Sequence, residues 1–102
     1  MIGRGTTPTH RIRLKNFDSS LIKRLMIIYA QGDVEVFHKN EEACTLDGEN
    51  ITITLTQEET LKLNHTCNVQ IQVRGLTHDG VAFRSKIVTT AVGKILNEEI
   101  LV

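Results

Sequence analysis

Val69-Gln70-Ile71-Gln72-Val73-Arg74 decides the fold class. Apolar and polar residues alternate through it. Period two places Val69, Ile71 and Val73 on one face of a pleated strand and Gln70, Gln72 and Arg74 on the other. The same rhythm recurs at Arg11-Ile12-Arg13-Leu14 and at Ile51-Thr52-Ile53-Thr54-Leu55. Turn signals lie between such runs. Thr77-His78-Asp79-Gly80 predicts a hairpin turn, because Asp-Gly supplies the positive φ it needs. Gln31-Gly32-Asp33 predicts another, leading into a strand over Val34–His38.

The segments around these runs follow from local chemistry. Pro8 opens a strand over Thr9–Lys15, a position where proline breaks no ladder. Asn16–Ser20 is a connection of turn formers. Leu21–Gln31 is the longest apolar run. Its end, Ile27-Ile28-Tyr29-Ala30, reads as a strand apolar on both faces, hence central or at an interface. A helix over Ser20–Met26, capped by Ser20, competes; the hairpin turn that follows favours the strand. Lys39–Asn50 is acidic, with a tight turn at Asp47-Gly48 and a short edge strand near Ala43–Leu46. Thr56-Gln57-Glu58-Glu59 is a capping box. It starts a short helix over Gln57–Leu61, anchored by Leu61 or Leu63. Val81–Val92 reads as one long, bent last strand. Met1–Thr7 reads as an N-terminal arm and Lys94–Val102 as an amphipathic tail. The expectation is an all-β, immunoglobulin-like β-sandwich of about seven strands with one short helical turn between sheets. A small barrel is the alternative.

A chain of 102 residues makes a single domain with one core. The aromatics are Phe17, Tyr29, Phe37 and Phe83, so the core rests on Ile, Leu and Val. Formal net charge is zero, which provides no global field for nucleic acid. The charges are segregated: six basic residues against one Asp over Arg4–Arg24, then eight acidic residues against one Lys over Asp33–Glu59. Cross-strand pairing within a sheet accounts for such a pattern, and a dipolar surface suited to stacking or docking is the other reading. Cys44 and Cys67 have no metal-type spacing and read as free thiols of a reducing compartment. Met1–Gly5 lacks the apolar core of a signal peptide, and no run reaches membrane-spanning length. Asn50-Ile51-Thr52 and Asn64-His65-Thr66 match the glycosylation pattern by chance on this reading.

Motifs that carry chemistry are scarce. His10, His38, His65 and His78 lack ligand spacing, Cys67 after His65 apart, and read as exposed or turn residues. Capping explains Glu59, and a helix first turn explains Glu58. Ser19, Ser20 and Ser85 stand in no nucleophile context. Gly3-Arg4-Gly5 follows no strand and precedes no capped helix, so it is not a phosphate loop. Arg4, Arg11, Arg13 and Lys15 have no aromatic among them, as a single-strand-binding platform requires. The expectation is therefore no enzyme, no cofactor or metal, no small-molecule substrate, no nucleic acid and no membrane.

Particular strings carry a resemblance over nearly the whole chain. Arg4-Gly5-Thr6-Thr7-Pro8-Thr9-His10, Tyr29-Ala30-Gln31, Leu55-Thr56-Gln57-Glu58-Glu59-Thr60-Leu61 and Val92-Gly93-Lys94-Ile95-Leu96 resemble small prophage-encoded proteins of Gram-positive gut bacteria. Those in turn resemble, more remotely, the N-terminal immunoglobulin-like domain of phage baseplate upper proteins. A baseplate upper protein continues into further domains and this sequence stops at Val102, so the module alone is expected. The resemblance brings no catalytic or ligand residues. It implies a tail- or baseplate-associated structural protein, in the host cytoplasm during assembly with the virion as the other location, whose partners are virion or tail proteins or a second copy. The candidate assembly contacts are Arg4 in the arm and Ile95, Leu96, Ile100, Leu101 and Val102 in the tail. Packing of the tail on its own domain is the slightly favoured alternative. A regulator or inhibitor of a host protein and a carbohydrate-binding sandwich are the other function classes; the second has few aromatics to spare.

Overall fold

Turn chemistry sets the registers. The computed structural model describes residues 1–102. Strands β3 (Ile22–Gln31) and β4 (Val34–Asn40) form an antiparallel hairpin in which Gln31 pairs with Val34. Gly32 and Asp33 between them have φ of +58° and +63°, the two positive values that a two-residue hairpin of type I′ demands. Asp33 holds this conformation through Gln70: its N–H donates to Oε1 at 2.8 Å, and its Oδ1 accepts from Nε2 at 2.8 Å.

Three strands make one layer, in the order β2 (Thr9–Arg13), β6 (Asn50–Thr54), β5 (Cys44–Asp47). The other layer runs β4, β3, β7 (Val69–Thr77), and both β8 (Ala82–Arg84) and β9 (Val88–Thr90) pair with β7. A parallel pair, β1 (Ile2–Gly3) with β10 (Val92–Gly93), forms a separate two-stranded sheet. Helix α1 (Gln57–Leu61) crosses from β6 to β7. The fold is an immunoglobulin-like β-sandwich, with β4 lying beside β3 as in variable-type domains.

The strand faces follow the alternation. Ile51 and Ile53 of β6 are buried, as is Leu55 just beyond it, and Val69 and Val73 of β7 meet them from the other layer. β3 is central, paired on both edges, and buries Leu25, Ile27 and Tyr29. Its Met26, Ile28 and Ala30 are half-buried on the outer face. The helical alternative for Ser20–Met26 reduces to a 3-10 turn over Ser19–Leu21, capped by the Asp18 carboxylate, which accepts from the Ser20 N–H at 2.9 Å. At α1 the capping box is complete. The Glu59 N–H donates to Thr56 Oγ1 at 3.1 Å and the Thr56 N–H donates to Glu59 Oε1 at 2.9 Å.

Two expectations are corrected. The long last strand over Val81–Val92 is broken into β8, β9 and β10. Paired residue numbers sum to 158 at Arg74–Arg84 but to 159 at Ile71–Val88, a slip of one residue that marks a bulge. Ser85 stabilises the break: its N–H donates to the Val73 carbonyl at 2.8 Å and its Oγ accepts from the Val73 N–H at 2.9 Å. The second correction concerns the arm. Ile2 is buried in the core, and β1 is bonded to the last strand, with the Ile2 N–H donating to Ala91 O at 2.9 Å and the Arg4 N–H to Gly93 O at 3.1 Å.

Candidate functional site

The tail, Lys94–Val102, has no regular structure. Polar contacts hold it to α1 and to the start of the chain. Gln57 grips Leu101 like a short piece of ladder: Nε2 donates to its carbonyl and Oε1 accepts its N–H, both at 2.9 Å. Arg4 Nη2 lies 2.7 Å from Glu98 and donates to Leu61 O at 3.0 Å. The Arg4 side chain is only 12% exposed, so it is not a free basic group on a flexible arm. Ile95 sits over Gly5, where a β-carbon would come within 2.7 Å of its Cδ1. Of the six candidate contacts, Arg4 and Ile95 are thus engaged within the domain. Leu96 is 97% and Leu101 73% exposed, and Ile100 and Val102 are exposed as well.

A second feature was not legible as a motif. β2 ends its layer, and β8 and β9 end the other, so the sandwich is open along one side. A cleft of about 630 Å³ lies there, lined by His10, Ile12 and Leu14 from β2 and its end, and by Ile71, Val73 and Val88 opposite. Val88 pairs with Ile71 on the face that turns toward the core, yet it is 60% exposed. Arg11, Arg13 and Lys86 also border the cleft.

His10 ties the layers together beside this cleft. Its Nδ1 shares a 2.8 Å hydrogen bond with Tyr29 Oη, and the rings stack with centroids 5.9 Å apart. Burial, with the N-terminal amine as a second cause, lowers the His10 pKa from its ordinary value. Near α1, Lys39 Nζ lies 2.7 Å from Glu59. Burial pushes the Glu59 carboxyl up, but the hydrogen bonds from Lys39 and from the Thr56 N–H outweigh it and leave the pKa lowered. Both groups favour their deprotonated forms in the folded state. Their contributions are present above the unfolded pKa values, near 6.5 and 4.5, and are lost as pH falls through the lower folded values. Stability is therefore expected to drop in two steps on acidification. The first, starting near pH 6.5, is expected to vanish in His10→Gln; urea titrations at pH 7.5, 5.5 and 4.0 check this. An unchanged first step in the variant would mean that His10 is not its origin.

The remaining reactive groups are dispersed. His38 pairs with Glu35 at 3.1 Å, and no cluster of three or more His, Cys, Asp or Glu side chains is arranged to hold a metal. Cys44 and Cys67 are free thiols. Burial pushes the Cys44 thiol up, which keeps it protonated and unreactive. No helix is long and apolar enough to cross a membrane.

Among solved structures, the chain is similar to the immunoglobulin-like domain of mouse leukocyte-associated immunoglobulin-like receptor 1, crystallised as a strand-swapped dimer. The TM-score is 0.51 at 14% identity, covering 91% of this chain and 85% of that one. A likeness at that identity shows the fold. No family model and no curated protein sequence matches the chain.

Proposed function

We propose that this domain is a non-enzymatic phage or prophage structural module, tail- or baseplate-associated, that acts through protein–protein assembly. The carrying observation is the tail. Leu96, Ile100, Leu101 and Val102 stand in water, while the segment is held to the domain mainly by polar contacts. Exposed apolar surface forfeits about 25 cal/mol per Å² relative to burial, and a cluster of it at one end of a small domain is the pattern of a docking element. The prophage resemblance of Arg4–His10 and Leu55–Leu61 supports the phage context. Both strings contribute to the tail's seat, through Arg4 and Gln57. The strand exchange named for the mouse receptor domain is consistent with assembly through strand edges on this fold.

Peptide mass spectrometry of purified particles and tail intermediates from an induced host tests the reading. The protein is expected there in fixed ratio to tail proteins. Its absence from both would overturn the phage assignment.

A further inference from the structure

We propose that the open side of the sandwich takes the Asn97–Val102 segment of a second copy as an added strand on β2. The proposal rests on the assembly reading above and names its partner and its surface.

β2 pairs only with β6. Leu55 N donates to Pro8 O, and Leu14 N donates to Glu49 O. With the register between them, these bonds fix which way each backbone group points. The even-numbered residues of β2 bond to β6, so the N–H and C=O of Thr9, Arg11 and Arg13 point toward the open side. That row is an unpaired template for an extended chain. The adjoining cleft has room for side chains, and Val88 shows that an inner-face position there lacks the cover its neighbours have.

The chemistry of the cleft selects its occupant. An incoming strand must offer apolar side chains inward and negative charge to Arg11, Arg13 and Lys86. Of those three only Arg13 has a carboxylate partner, Glu49 at 3.5 Å. Asn97-Glu98-Glu99-Ile100-Leu101-Val102 meets the demand. Alternation puts Glu98, Ile100 and Val102 on the cleft side, where Lys86 can meet Glu98, and Glu99 and Leu101 on the outer face, Glu99 beside Arg11 and Arg13. Fully extended, six residues reach about 20 Å, enough to run along β2. Releasing the tail breaks the Arg4–Glu98 pair and the two Gln57 bonds and removes no buried side chain after Ile95. Because tail and cleft are different surfaces, reciprocal exchange closes a dimer, and one-way exchange builds longer chains.

Light scattering of the full chain over a concentration series tests this, together with Arg11→Pro. Proline at position 11 removes the outward N–H, together with the Arg11 guanidinium, and leaves the bonds of β2 to β6 in place. The native protein is expected to rise above the mass of one chain with concentration, and Arg11→Pro to stay monomeric with native circular dichroism. A native protein monomeric throughout, or a folded Arg11→Pro that associates as before, overturns the inference. Should Arg11→Pro fail to fold, charge reversal decides. Glu98→Lys with Glu99→Lys is expected to weaken association by about tenfold, with recovery on mixing with Arg11→Glu, Lys86→Glu protein. No recovery overturns the inference. A monomer found in phage particles sinks this inference alone, and a cleft-linked oligomer absent from them sinks only the phage reading.

Discussion

Tyr29→Ala is expected to destabilise the domain by about 3–5 kcal/mol, the range for truncating a buried aromatic. Tyr29 lies on the central strand, fully buried, stacked on Phe37 with centroids 4.7 Å apart. Its hydroxyl reaches across to His10 on the opposite layer. Antibody domains pin their two sheets with a disulfide from the second to the sixth strand and a tryptophan beside it. Here there is no tryptophan, both cysteines are free, and neither sits within β2 or β7. The tyrosine and histidine do that work with packing and one hydrogen bond. Burial, then the nearby Cys44 and Glu59, push the Tyr29 phenol above its ordinary pKa. Tyr29→Phe keeps the ring and loses only the bond, and about 1 kcal/mol is expected. Urea unfolding followed by circular dichroism separates the two variants. Since a domain of this kind holds about 5–15 kcal/mol in all, the alanine variant stands near the edge of folding. Equal, small losses for both variants would show that the pair is not the tie between the layers.

Much of this architecture is legible from local signals. The alternation of Ile51–Leu55 and of Val69–Arg74 predicts which residues enter the core, because the period of a strand is a covalent property of the chain. The capping box at Thr56–Glu59 and the turn at Gly32-Asp33 are equally local, set by backbone groups within four residues. The doubly apolar run Ile27–Ala30 predicts a central strand, and β3 is central for that reason: both faces and both edges are covered. The fine structure of Val81–Val92 is not local. Where a bulge falls depends on which residues of β7 remain to be paired, and Ser85 takes its place only against Val73.

The candidate site was less legible, again for physical reasons. The exposed apolar tail stands out by composition, so Leu96, Ile100, Leu101 and Val102 are found without coordinates. The cleft is created by a missing neighbour along β2, and no residue encodes a missing neighbour. One signal was present. Parity places His10 on the same face as Ile12 and Leu14, and a histidine on an inward face asks for a hydrogen-bond partner. Following that parity identifies His10 as an inner residue, and its partner must come from the facing layer. Arg4 misleads in the opposite direction. A basic residue between glycines looks solvated, yet its guanidinium is folded against Leu61 and Glu98.

The first residues test this distinction most sharply. Ile2→Ala is expected to cost about 2–4 kcal/mol and Ile2→Val about 0.5–1.5 kcal/mol, the graded response of a close-packed site. Ile2 is 1% exposed and belongs to the same core as Val69, Leu55 and Val92. Its position rests on two contributions that act together. The parallel pairing of Ile2 and Gly3 with Val92 and Gly93 satisfies backbone groups of the segment, the Ile2 and Arg4 N–H groups donating to Ala91 O and Gly93 O. Thr60 fastens the following segment from below, its hydroxyl donating to Thr6 O at 2.9 Å. The side chain therefore has little freedom to collapse around a lost methyl group, which places the alanine variant away from the neutral end of the scale. A solvated arm would respond differently, since both substitutions would fall within about 0.5 kcal/mol of the native chain. Thermal and urea unfolding of the two variants decides between these patterns. The loss should also spread to the tail, because Arg4 follows β1 directly and carries the ion pair to Glu98. Proteolysis within Lys94–Val102 is accordingly expected to speed up in Ile2→Ala at temperatures where the core strands remain folded. Unchanged cleavage there would mean that the tail keeps its place through Gln57 alone.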